Sequence, residues 1–272
     1  MTLPPDGEAP EFEVELEPEP GQLPPDPDER PPVQLWNSVG DIPPWGTLLL
    51  VLSWAAVFAT LALRGQVGDT DPLVAWGGSA TGLTLRETAW RLLASTFLHA
   101  GAAHVFFNAA TMLVVGPAVE RVFARGGFWV VYALGGAMAS LASLLWRASH
   151  TMGGLSVSVG ASGAIFALGG ALLVGAFRLC HRLAPGRARA LAGSLLFLLG
   201  QGFAAGFTRH ATDNAAHAAG LVAGGVLGTL IPISPRLGGP ASGAAMRVLG
   251  SVAGLALAVS LALAVRSGLG AG

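Results

Sequence analysis

Gly160-Ala161-Ser162-Gly163-Ala164-Ile165-Phe166-Ala167-Leu168-Gly169-Gly170 opens a strongly apolar stretch that runs on to Arg178, and its one hydroxyl decides how the chain is read. A second stretch carries Ala216-His217-Ala218-Ala219-Gly220, again one polar side chain among alanines and glycines. Polar groups lose their water on entering lipid, so a serine and a histidine inside membrane-length segments need a partner or a function. The small residues around them let helix backbones approach closely enough for two side chains on different helices to touch.

The setting is consistent along the chain. Apolar residues make up 52% of the 272 positions and charged residues 11%, against roughly 25% charged in an average soluble domain. From Trp45 onward, apolar runs alternate with short polar breaks at about 46–64, 103–122, 128–146, 162–178, 189–206, 215–231 and 245–265. Most approach the roughly 20 residues that cross a bilayer as a helix. The 162–178 run is the shortest, which suits a helix starting below the surface from a buried loop. Such a loop is tolerated at membrane depth only where protein or a water-filled cavity surrounds it. The pattern predicts an all-α polytopic membrane protein with seven spans.

Charge is divided unevenly. Eleven of the 16 acids precede residue 42, opposed only by Arg30, whereas the remainder carries 14 arginines, no lysine and 5 acids. Residues 1–43, rich in Pro, Glu and Asp, cannot bury enough surface to offset chain entropy and read as a disordered acidic tail. Arg178, Arg182, Arg187 and Arg189 crowd the loop between the fourth and fifth spans. Short arginine-rich loops stay in the cytoplasm, so the N-terminus is expected inside and Ser162 and His217 near the outer face. Cys180 is the only cysteine, which excludes an intramolecular disulfide and a thiolate zinc cluster. Nothing suggests a metal site, an organic cofactor or a nucleic acid partner; the implied surroundings are the lipid bilayer.

The longest segment between spans, 65–102, holds Leu83, Leu85, Trp90, Leu92, Leu93, Phe97 and Leu98, and reads as a structure lying in the interface. It leads into His104-Val105-Phe106-Phe107-Asn108, whose His104 and Asn108 share one helix face at four-residue spacing. Asp213 lies four residues before His217 and offers two readings. It could orient the histidine as the third member of a Ser-His-Asp set, or, with Asn214, occupy the N-cap of the sixth span; the position after the Thr208–Thr212 polar loop favours the cap.

Together these features resemble the rhomboid intramembrane serine proteases. The matching elements are Trp90-Arg91, His104-x-x-x-Asn108, Gly116-x-x-x-Glu120, Gly160-x-Ser162-Gly163 and Ala216-His217-x-x-Gly220-x-x-x-Gly224, in that order and distributed over spans two, four and six. The resemblance implies a rhomboid-like six-helix catalytic core over 44–231, with 232–272 adding a loop and a seventh C-terminal transmembrane helix. It also implies a Ser162–His217 dyad without a carboxylate, and cleavage of transmembrane protein substrates near their outer membrane boundary. Serine needs a base to become a nucleophile, and a neutral imidazole supplies it. Asn108, His104 and the Ser162 backbone N–H would serve the oxyanion. Trp90, Arg91, His99 and Glu120 are assigned to structure; His181 and His210 fall in loops. Two departures stand out. Phe166 lies one turn after Ser162 where many relatives have Tyr, and Ala124 stands where a glycine is common, leaving Gly126 to serve the turn. The rival functions are a catalytically inactive rhomboid-like factor that binds or escorts membrane proteins, and a small-molecule transporter, which the confinement of charge such as Glu120 and Arg247 to span ends and the lack of internal repeats disfavour. The Ala, Gly and Arg bias points to a bacterial cytoplasmic membrane.

Overall fold

A computed structural model describes residues 43–150, 154–181, 183, 186–208, 213–237 and 243–271. Nearly all of tail 1–43 therefore lies outside the described residues, as do Arg182 and His210. The elements, in order, are α1 (Trp45–Leu63), α2 (Thr70–Ala75), β1 (Ser79–Ala80), α3 (Leu85–Ala89), α4 (Arg91–Ala94), α5 (Ala102–Val130), a π-helical turn (Val131–Gly135), α6 (Gly136–His150), β2 (Val157–Ser158), α7 (Ser162–Arg178), α8 (Arg187–Thr208), α9 (Asn214–Leu230) and α10 (Ala244–Gly270). The chain is an all-α polytopic membrane protein.

Three helical stretches, Trp45–Leu63, Ala102–His150 and Ala244–Gly270, are long and apolar enough to cross a membrane; Ser162–Arg178 and Arg189–Ala205 are shorter apolar helices. The 49 residues of Ala102–His150 would extend about 70 Å if straight, more than twice the roughly 30 Å of a hydrocarbon core. They do not run straight. At Ala124 the backbone takes φ 58° and ψ 173°, a region adopted almost solely by glycine. The second and third spans thus meet at a sharp turn rather than across the five-residue break that hydropathy suggests. The expectation that Gly126 serves this turn is also corrected: Ala124 itself makes it, and Gly126 packs against α10, where a Cβ would lie 2.6 Å from the Met246 carbonyl oxygen.

The same end of α5 anchors α1. Pro44 offers α1 no capping side chain, leaving its first N–H groups to find acceptors elsewhere. Glu120 supplies them from α5: its carboxylate accepts from the Thr47 amide and hydroxyl, both at 2.8 Å, and from the Gly46 amide at 3.3 Å. Gly116, one turn earlier, makes room for Thr47.

The centre of the fold is α7, whose residues Gly163 to Leu172 are buried without interruption. A helix apolar on every face belongs inside. Small residues decide its closest contact: Gly163, Ala167 and Ala171, at four-residue spacing, face Gly220, Gly224 and Gly228 of α9. A Cβ on Gly220 would strike the Gly163 carbonyl, and one on Gly224 the Ala167 carbonyl. Gly135, Gly136 and Ala139 receive the opposite side of α7.

The segment 65–102 is folded, as its apolar content predicts. Arg91 donates to the carbonyls of Val74 and Gly78 and stacks 4.7 Å from the Trp90 ring centroid. Thr84 and Glu87 form a reciprocal capping box on α3, and the hydrogen bond from the Thr84 hydroxyl holds the Glu87 carboxyl below the usual carboxylate range. Strand β1 pairs antiparallel with β2, Ser79 opposite Ser158 and Ala80 opposite Val157. The long loop is thereby fixed to the residues just ahead of Ser162.

Candidate active site

Ser162 is the first residue of α7. Its amide is therefore one of the four at a helix start without an intrahelical acceptor, and the positive end of the helix dipole surrounds it. Gly160 delivers the chain to this position at φ 126°, beyond the reach of ordinary L-residues. His217 sits in the first turn of α9 and is 2% exposed. Its Nε2 lies 2.9 Å from Ser162 Oγ. The hydroxyl donates in this bond when the imidazole is neutral with its proton on Nδ1, which is the arrangement a general base requires.

The imidazole is held by rings rather than by a carboxylate. Phe166 stacks on it at 4.2 Å between centroids and 8° between planes, so a phenyl ring is enough for this contact. Phe203 of α8 meets the imidazole edge-on at 5.8 Å and Phe166 at 5.0 Å. Asp213 is the N-cap of α9, accepting from the Ala216 amide at 3.0 Å. Its other oxygen accepts from the hydroxyls of Ser158, at 2.9 Å, and Ser143. His217 Nδ1 has no hydrogen-bond partner among the described residues. The cap reading of Asp213 fits this geometry, and the triad reading does not.

His104 and Asn108 both reach the loop that carries Ser162. A Cβ on Gly160 would lie 2.6 Å from His104 Nε2 and 3.7 Å from Asn108 Nδ2. Asn108 is 7% exposed, and its Nδ2 donates to no protein acceptor among the described residues. Behind them His99, fully buried, is wedged between Trp54 at 5.6 Å and His104 at 5.1 Å. Four residues predicted from sequence, Ser162, His217, His104 and Asn108, thus converge from α5, α7 and α9. Sequence reasoning missed Phe203, Ser143, Arg147 and Ser158, which meet the site only through space.

Comparison with known proteins agrees with this geometry. Residues 86–233 match the model of the Rhomboid domain. The chain is 34% identical over 217 residues to Rhomboid protease GluP of Bacillus subtilis (strain 168), covering 79% of this chain and 39% of that protein. It is 33% identical over 153 residues to RHOMBOID-like protein 1 of Arabidopsis thaliana, 56% of this chain and 37% of the relative, and 32% over 155 residues to RHOMBOID-like protein 4, 56% and 36%. The chain spans well under half the length of these relatives. A domain match over more than half of the chain, with this similarity, shows that the chain belongs to the rhomboid family.

Proposed function

We propose that this protein is an intramembrane serine endopeptidase that hydrolyses peptide bonds of transmembrane protein substrates with Ser162 as nucleophile and His217 as general base. The observation that carries the reading is the 2.9 Å contact between Ser162 Oγ and His217 Nε2, on two helices whose separation is set by glycine. In the reaction, His217 takes the hydroxyl proton as Ser162 Oγ attacks the scissile carbonyl carbon. The oxyanion is met by donors already near it: the Ser162 amide, Asn108 Nδ2 and His104. His217 then returns the proton to the leaving amine, and a water molecule activated by the same imidazole releases the acyl group. No residue has to approach from afar, since electrostatic assistance of this kind works best when its dipoles are fixed beforehand.

The arginine pattern supports an N-terminus in the cytoplasm of a bacterial cell, with the Ser162 end of α7 at the outer side of the cytoplasmic membrane. The layout 1–43 tail, 44–231 catalytic core and 232–272 added span goes with it. The test is cleavage of a fluorogenic transmembrane substrate by purified protein in detergent or vesicles. Cleavage should appear in the parent protein and vanish in Ser162→Ala and His217→Ala with their folds intact; parental activity in Ser162→Ala would overturn the assignment, and a folded but inert parent would favour the escort reading.

A further inference from the structure

Arg147, near the outer end of α6, reaches two other segments directly and a third by way of Ser143 on its own helix, using all three guanidinium nitrogens. Nη1 donates to the Ser156 carbonyl at 2.5 Å, ahead of α7. Nη2 donates to the Ser79 carbonyl at 3.0 Å and its hydroxyl at 3.2 Å, in β1. Nε donates to Ser143 Oγ at 3.1 Å, and that hydroxyl donates in turn to Asp213, the cap of α9. Ser158 closes the circuit by donating directly to the same Asp213 oxygen at 2.9 Å. We propose that Arg147 is a positioning residue: with Ser143, Ser158 and Asp213 it sets the axial register between the Ser162 and His217 helices. The proposal rests on the reading of those two residues as the reacting pair.

The need for such a device follows from the α7–α9 contact. Backbone-to-backbone packing along Gly163, Ala167, Ala171 and Gly220, Gly224, Gly228 brings the helices close, but it has few interlocking side chains to oppose sliding along the axis. Ser158 is four residues before Ser162, and Asp213 is four residues, one helical turn, before His217. Tying Ser158 to Asp213 therefore fixes the start of α9, one turn before His217, to strand β2, which is joined to Ser162 by only three residues. A misplacement of about 1 Å between reacting groups costs on the order of 10²-fold in rate, so register matters more here than for stability. The task suits arginine: its planar fork offers donors in fixed directions, whereas a lysine ammonium is one point on a flexible stem.

The experiment measures labelling of Ser162 by a fluorophosphonate in the purified full-length protein, well below the unfolding temperature and normalised to the folded fraction. Amide hydrogen exchange is recorded on the same samples. Arg147→Ala and Arg147→Lys should both label about ten- to a hundredfold more slowly than the parent, with exchange rising together at 156–160 and 214–217. Ser143→Ala should give a smaller loss, and its combination with Arg147→Lys less than the product of the two. Parental labelling per folded molecule in Arg147→Lys, exchange that rises in one segment alone, or fully multiplicative losses would each overturn the proposal. If Arg147→Ala does not fold, Arg147→Lys and Ser143→Ala carry the test. A folded parent that never labels defeats the protease reading instead; the clamp is then decided by exchange, a joint rise supporting it and an unchanged pattern overturning it.

Discussion

At the scale of single residues, the proposed chemistry separates into groups that would react and groups that would aim them. Asn108 is buried with its amide nitrogen near Gly160, so Asn108→Ala should lower kcat by about 10²–10³-fold, the usual cost of a lost oxyanion donor. Its melting temperature should fall by only a few degrees; equal activity per folded molecule would return Asn108 to packing. Asp213→Asn should keep its bond to the Ala216 amide, because asparagine caps as well as aspartate. Its Nδ2 would stand where an oxygen now accepts from Ser143 and Ser158, so the clamp loosens and activity should fall by up to about a hundredfold, still far from the roughly 10⁴-fold loss that the same change causes in a true triad. Ser162 and His217 were legible because each is an expensive polar group in an apolar run, and His104 and Asn108 because their spacing puts them on one face. Arg147 and Phe203 were not. An arginine near a span end can reach the interface and a phenylalanine inside a span is ordinary lining, and neither residue's contacts with β1 or with α7 and α9 can be read from local sequence.

At the scale of elements, the turn between the second and third spans is the weakest joint in local terms. Ala124 holds a conformation that costs of order 1–3 kcal/mol for a residue with a Cβ, so Ala124→Gly should raise stability by about 1 kcal/mol, read as a higher thermal midpoint in detergent. No change or a loss would mean that the methyl group contributes packing that outweighs the strain. Glu120 acts in the opposite sense. Three N–H and O–H donors of α1 depend on it, and Glu120→Ala should cost about 2–3 kcal/mol by leaving buried donors unmet. The limits of the long helices were visible beforehand because they follow the apolar runs. The turn was not, since hydropathy carries no information about φ, and the sequence offered Gly126 as the more natural candidate.

Across the whole molecule, α10 is more than an appendage to the family-matched region 86–233. One part of α10 packs Gly250 against Gly126 beside the α5 turn, and its last turns place Gly268 against the face of Trp76 in the 65–102 loop. It therefore joins the two ends of the fold. Gly268→Leu should displace Trp76 and raise proteolytic nicking of residues 65–102 while leaving the α10 span inserted; unchanged nicking would show that the loop stands without this brace. Hydropathy revealed the span, but not what it touches.

The glycine seam between α7 and α9 also has a consequence for mutational tolerance. Where carbonyls rather than side chains set the separation, even a methyl group has nowhere to go. Gly224 faces the Ala167 backbone, while its neighbour Gly225 has nothing within 4 Å of where a Cβ would stand. Alanine at 225 should be accepted and should even gain about 1 kcal/mol of helix propensity, whereas alanine at 224 should part the helices and with them serine from histidine. A saturation library scored for cleavage would then register two adjacent glycines, alike in every composition-based measure, at opposite extremes of permissiveness.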